Sequence, residues 1–232
     1  MIIMSKAQGL SFRNRSICEL FSLAIGVACV LFSTSPVRAQ MLTTIFAGGN
    51  RNSVGGAVYF DLNVLATSGI TITGLSTNVS TSGSTVGSTD MLNVYTRPGT
   101  ASGFQQTSAG WTLVSSGTGT QAALGTPTVF TITSFMLTSG VFGIAIQNVN
   151  YSAEYTNGNG SNQVYSNADL SLTAGSANNA AFVSNVNQPR VWNGTINYTS
   201  SSAVPEPGVN ALLAGLAVTG TGFAFRRLRR RK

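Results

Sequence analysis

The chain contains no histidine, and its two cysteines, Cys18 and Cys29, both fall within the first 29 residues. Only 8% of the residues are charged, and lysine occurs only as Lys6 and Lys232. The stretch from Gln40 to Ala203 thus lacks every imidazole, thiol and amine side chain. A serine or threonine nucleophile there has no histidine or lysine to act as its base. Zinc chemistry lacks its usual nitrogen and sulfur ligands. No disulfide can staple this stretch, so its stability must come from packing. Its glycine-rich runs read as turns, with no phosphate-cradling motif among them.

The charge that remains is unevenly placed. The whole chain carries +7, with 13 basic residues. Four of these precede Gln40, and six lie in the last seven positions. Between the ends only Arg51, Arg97 and Arg190 remain, against Asp61, Asp90, Glu154 and Asp169, a net charge of −1. A basic surface for nucleic acid is excluded, because the positive charge belongs to the two ends.

Both ends read as addresses. Lys6, Arg13 and Arg15 open the chain, Leu20 to Phe32 is apolar, and Val37-Arg38-Ala39 presents a small-residue cleavage site. This is the pattern of a secretory signal peptide over residues 1–39, cut by signal peptidase between Ala39 and Gln40 after export through the Sec translocon. Asn14 separates Arg13 from Arg15, so there is no twin-arginine signal. A lipoprotein reading of Cys29 fails because Gly26 stands where a branched aliphatic is wanted and the apolar run continues past it.

At the other end, Val204-Pro205-Glu206-Pro207 precedes an uncharged stretch from Val209 to Phe225 and then Arg226, Arg227, Arg229, Arg230, Arg231 and Lys232. As a helix the 17-residue stretch is about 25 Å long at roughly 1.5 Å per residue, short for a hydrocarbon core of about 30 Å. Arg226 can snorkel to the interface, and the six cations hold that end in the cytoplasm. Pro205 and Pro207 cannot enter a helix interior, so Glu206 is displayed on an extended segment outside the membrane.

The order of these parts over residues 204–232 resembles the PEP-CTERM sorting signal of Gram-negative bacteria. The resemblance implies processing by exosortase, a membrane-embedded cysteine-protease-like enzyme. It implies transient single-pass anchoring in the inner membrane, followed by delivery to the cell surface or an exopolysaccharide matrix.

The region 40–203 is rich in Ser, Thr, Asn and Gly but alternates in the β manner. In Ala57–Val64, Phe60, Leu62 and Val64 share one face, while Asp61 and Asn63 take the other. Further strands are predicted over 70–73, 91–96, 111–116, 126–132, 141–147, 170–173 and 191–199. Turn clusters are read at Thr67-Ser68-Gly69, Arg97-Pro98-Gly99, Gly117-Thr118-Gly119, Asn157-Gly158-Asn159-Gly160 and Asn178-Asn179. Asn193-Gly194 reads as a tight hairpin turn with positive φ. The expected fold is an all-β, two-sheet β-sandwich ectodomain, with the jelly roll as one form. An N-terminal signal helix and one C-terminal transmembrane helix flank it.

Several stretches also look like an all-β domain that recurs in exported bacterial proteins. They are Ala47-Gly48-Gly49-Asn50, Tyr59-Phe60-Asp61-Leu62, Ile70–Gly74, Val94–Gly99, Gly110–Val114 and Pro189–Tyr198. The resemblance brings no established activity with it.

Candidate site residues are few. Trp111 and Trp192 are candidates to stack on sugar rings, or else to anchor the core. Asp61-Leu62-Asn63 and Asp169 are the candidate oxygen ligands for a structural calcium, although four scattered acids fall short of the six to eight oxygens that calcium takes. A paired-carboxylate glycosidase would need two of the four acids roughly 5–9.5 Å apart. Arg190 has Asp61, Asp90 or solvent as alternatives. Sequons at Asn78, Asn150, Asn193 and Asn197 follow from composition. The expectation is a non-enzymatic, structural or adhesive surface protein associated with exopolysaccharide or biofilm; the alternative is a carbohydrate-binding module with a defined aromatic site.

Overall fold

The computed structural model describes residues 38–183 and 185–200, and no helix occurs among them. None there is long and apolar enough to cross a membrane. The leader's apolar run, the Pro205-Glu206-Pro207 motif, the 209–225 stretch and the basic residues Arg226 to Lys232 lie outside the described residues.

The described chain is all-β. Its strands are β1 (Arg38–Thr43), β2 (Asn50–Arg51), β3 (Ala57–Val64), β4 (Ile70–Ser80), β5 (Thr89–Pro98), β6 (Thr112–Thr120) and β7 (Pro127–Ile132). There follow β8 (Phe135–Leu137), β9 (Gly140–Asn148), β10 (Ser152–Asn157), β11 (Val164–Ser166), β12 (Leu170–Asn178), β13 (Arg190–Trp192) and β14 (Gly194–Ser200). Hydrogen bonding joins ten of them in one antiparallel path, β1-β14-β4-β7-β6-β5-β9-β3-β12-β11. The path nearly closes on itself. Asn167, just past β11, donates its amide to the Met41 carbonyl of β1 at 3.2 Å and to the Tyr198 hydroxyl of β14 at 2.9 Å. A small sheet stands beside this barrel-like path, where β10 pairs with β13, β2 and the end of β4.

The alternation read from Ala57–Val64 is the packing of β3. Val58, Phe60, Leu62 and Val64 enter the main core with Ile72, Leu75, Leu92, Val94, Ile144, Ile146, Leu172 and Ile196. Each such side chain is worth roughly 1.5–3 kcal/mol when fully buried. Trp192 lies at the centre, stacked on Phe60 with ring centroids 5.2 Å apart and planes 17° apart. Its indole N–H donates to the Thr77 hydroxyl at 3.1 Å.

Two expected turns are something else. Gly117-Thr118-Gly119 lies inside β6, paired with Thr131 and its neighbours in β7. Glycine is needed there because a Cβ on Gly117 would fall 2.6 Å from the Thr131 carbonyl oxygen. Asn193-Gly194 is not a hairpin turn, since β13 pairs with β10 whereas β14 pairs with β1 and β4. Neither residue has positive φ. Gly194 is small because the Trp192 ring lies against it, where a Cβ would collide. By contrast, Thr67-Ser68-Gly69 is a turn, closed by the Gly69 N–H on the Ala66 carbonyl at 2.9 Å, with Gly69 at φ +75°.

Candidate functional site

The outward face of β3 carries Tyr59 and Asp61, and two loops are tied down over it. The first loop runs through residues 99–111. Its Thr100 hydroxyl donates to Asp61 at 2.6 Å, and the Ala101 N–H donates to the other carboxylate oxygen at 2.7 Å. Arg97 donates to the Thr100 carbonyl and sets its guanidinium 3.4 Å over the Phe104 ring. The Trp111 N–H donates to the Phe104 carbonyl at 2.9 Å.

The second loop runs through residues 179–189. The Tyr59 hydroxyl accepts the Phe182 N–H and the Asn178 amide, both at 2.9 Å. Ala177 and Asn187 exchange a pair of backbone bonds at 2.8 and 2.9 Å. The rings of Tyr59, Tyr95, Trp111 and Phe182 meet edge-on or tilted, with centroids 4.9–6.0 Å apart. Burial raises the Tyr59 hydroxyl pKa, and the bonds from Phe182 and Asn178 offset part of that rise.

Between the two loops opens a cleft of about 540 Å³. Its floor is Tyr59, Asp61, Thr173, Ala174 and Gly175; Ala101, Ser102 and Gln105 form one wall, and Gln188, Pro189 and Gln163 the other. The β3–β12 register slips between Ala174 and Ser176, leaving Gly175 as the extra residue of a bulge. A Cβ at Gly175 would lie 2.6 Å from the Tyr59 carbonyl oxygen, so only glycine lets the two strands stay this close across the floor. Of the polar side chains, Gln105 donates to Ser176 at 3.3 Å, and Asp61 holds the first loop. Among the described residues, the amides of Gln163 and Gln188 have no hydrogen-bond partner.

The residues singled out from the sequence are dispersed. Trp192 is 1% exposed and sandwiched in the core, so no sugar can reach its faces; its role is the anchor. Trp111 is half-buried against Tyr59 and Phe182, its N–H already bonded, and it does not line the cleft. Asp61 binds the 99–111 loop, whereas Asp169 accepts from Ser200 at 3.0 Å and Tyr198 at 3.4 Å near the seam of the barrel. The proposed calcium ligands therefore have separate partners, and no cluster of three or more acid, histidine or cysteine side chains occurs among the described residues. Arg190 pairs with neither Asp61 nor Asp90, donating instead to the Pro189 carbonyl and lying 5.6 Å over the Tyr155 ring. Asn78 and Asn193 are buried in the folded domain and offer no surface for modification. Ala39 and Gln40 are exposed on β1, opposite Thr199 and Tyr198.

The other two acids sit in buried polar clusters. Asp90 is fully buried, with Ser88 donating to one oxygen at 3.4 Å and no bond to the other. Burial raises its pKa above the ordinary range, and the Ser84 and Ser88 hydroxyls offset part of that. The buried Tyr151 hydroxyl also lacks a partner and is pushed well above its ordinary range by burial and by the charge of Asp90. Glu154 is 6% exposed beside Gly48 and the Asn78 amide.

Sequence reasoning did not single out Tyr59, Gln105, Gln163 or Gln188. Amides in Ser/Asn/Gly-rich segments look like composition until two loops bring them together; the one local signal was the rigid Gln188-Pro189 step. No family model matches the chain, and no curated protein matches it.

Proposed function

We propose that this is an exported, non-enzymatic protein of the cell surface or extracellular matrix. An exosortase sorts it through its C-terminal signal, and it serves a structural or adhesive role in contact with exopolysaccharide. The observation that carries this reading is the order of Pro205-Glu206-Pro207, the uncharged 209–225 stretch and the cations at Arg226, Arg227, Arg229, Arg230, Arg231 and Lys232. The ectodomain holds its fold by packing and hydrogen bonding and contains no cysteine, so its stability does not depend on the redox state of its surroundings. We further read the near-closed sheet as flattened into two facing layers, a β-sandwich, with Phe60 and Trp192 stacked between them.

The test is mass spectrometry of the C-terminal peptide from protein isolated from its native host. A chain ending near Pro207 and lacking 209–232 is the expected result. An intact Lys232 terminus in the membrane fraction would overturn the sorting reading and leave a plain single-pass anchor.

The aromatic-platform version of a carbohydrate-binding module is not favoured, since Trp192 is covered and Trp111 stands apart from the cleft.

A further inference from the structure

We infer that the cleft between the 99–111 and 179–189 loops is a saccharide site that takes a short segment of a neutral, hydroxyl-rich glycan. The inference rests on the matrix reading above and names where the contact is made.

The first argument is the chemistry of the lining. Gln163 and Gln188 each bring an amide with two donors and an acceptor, none of them engaged by the described residues. Ser102 and Thr173 add hydroxyls on the floor and wall. Gln105 donates to Ser176 through Nε2 and so keeps its acceptor oxygen turned to other partners. Asp61 accepts one bond at each carboxylate oxygen and retains further lone pairs. A sugar hydroxyl is both donor and acceptor, so amides and hydroxyls match it in either sense. A purely anionic or purely cationic ligand would use only half of this set.

The second argument is charge. Among the described lining residues Asp61 is the single ionisable carboxylate, and no arginine or lysine joins it. Sulfated, phosphorylated or uronate-rich chains would meet a like charge and no cation. A multivalent cation would find too few oxygens.

The third argument is shape. The volume falls within the range of about 300–1,000 Å³ typical of small-ligand sites. The Pro189 ring with Ala101 and Ala174 supplies apolar surface for the C–H face of a sugar. The floor is held from beneath by the Tyr59 hydroxyl bonds and the Gly175 bulge, so little ordering remains to oppose binding. With no indole on the wall, selectivity comes from hydrogen bonds and affinity is modest.

The test is affinity electrophoresis of the full-length protein through gels containing the neutral or the acidic fraction of the host's own extracellular polysaccharide. Retardation in the neutral fraction is expected, and the doubly substituted Gln163→Ala, Gln188→Ala protein should bind it about tenfold more weakly. Neither amide has a partner among the described residues, so this variant should keep the wild-type melting temperature. Thr131→Ala, on the β7 surface outside the cleft, should bind as wild type. Equal retardation of wild type and double variant would overturn the inference. So would retardation by the acidic fraction alone, or by neither fraction.

The C-terminal mass of the same preparation keeps the two readings apart. A processed terminus without glutamine-dependent binding removes the site and leaves the sorting. Glutamine-dependent binding on an intact chain does the reverse.

Discussion

The two faces of β3 solve the burial problem differently. On the inner face, Val58, Phe60, Leu62 and Val64 pack among aliphatics, and Phe60 stacks on Trp192 in nearly parallel planes. On the outer face, Tyr59 is just as buried, but loops rather than strands cover it, and they are held by hydrogen bonds and edge-on rings. The inner face depends on volume and the outer face on specific polar contacts. One strand thus supplies the fold from one side and the floor of a site from the other.

The difference predicts an order of effects. Trp192→Ala should cost the most, about 3–5 kcal/mol for a large aromatic removed from a packed core. Urea unfolding would measure it, and a loss below about 1 kcal/mol would mean that the inner face does not depend on volume. Tyr59→Phe keeps the ring but removes the oxygen that accepts from Asn178 and Phe182. The expected loss is about 1–3 kcal/mol, with faster amide exchange at Phe182 and unchanged protection in β9 and β14. Uniform loosening of the whole sheet would erase the distinction between the faces.

Asp61→Asn replaces a half-exposed acceptor of two bonds, so the loss should be on the order of 1 kcal/mol. It should show as quicker proteolysis within 99–111 before any change in the global melting curve.

The smallest effect sharpens the contrast between Asp61 and Asp90. Burial raises the Asp90 pKa in the folded domain, so the native state keeps this proton to higher pH than the unfolded chain does. Its contribution to stability is fully present below the unfolded value and is lost as pH rises through the folded one. Calorimetric melts from about pH 4 upward should show a decline that Asp90→Asn flattens. An identical slope in the variant would assign the decline to other groups.

Much of the inner face was legible and little of the outer. β3 was read to the residue because its apolar positions alternate with Asp61 and Asn63. The second half of β4 was not, because Thr77, Asn78 and Ser80 are buried as hydrogen-bonded polar groups and leave no apolar period. β10 hid for the same reason, with Ser152 and Glu154 inside. Gly117 and Gly119 have the composition of a turn, but the close approach of β7 requires them in a strand. Within the site, Asp61 stood out as a rare acid although its partners did not. Gln105, Gln163 and Gln188 come from three separate segments, and only the Gly175 bulge and the two tied loops bring them together.

The pairing of β1 with β14 has a mechanical consequence. With cleavage after Ala39, the exported chain begins at Gln40, opposite Tyr198 and two residues from the Ser200 by which it leaves the domain. A load applied at Ser200 passes into β14, which is bonded along its length to β1 on one side and β4 on the other. Tension drawn along that strand is shared by both ladders in shear and does not unzip the bonds one at a time. Held from that end, the domain would transmit a pull through a strand bonded on both flanks.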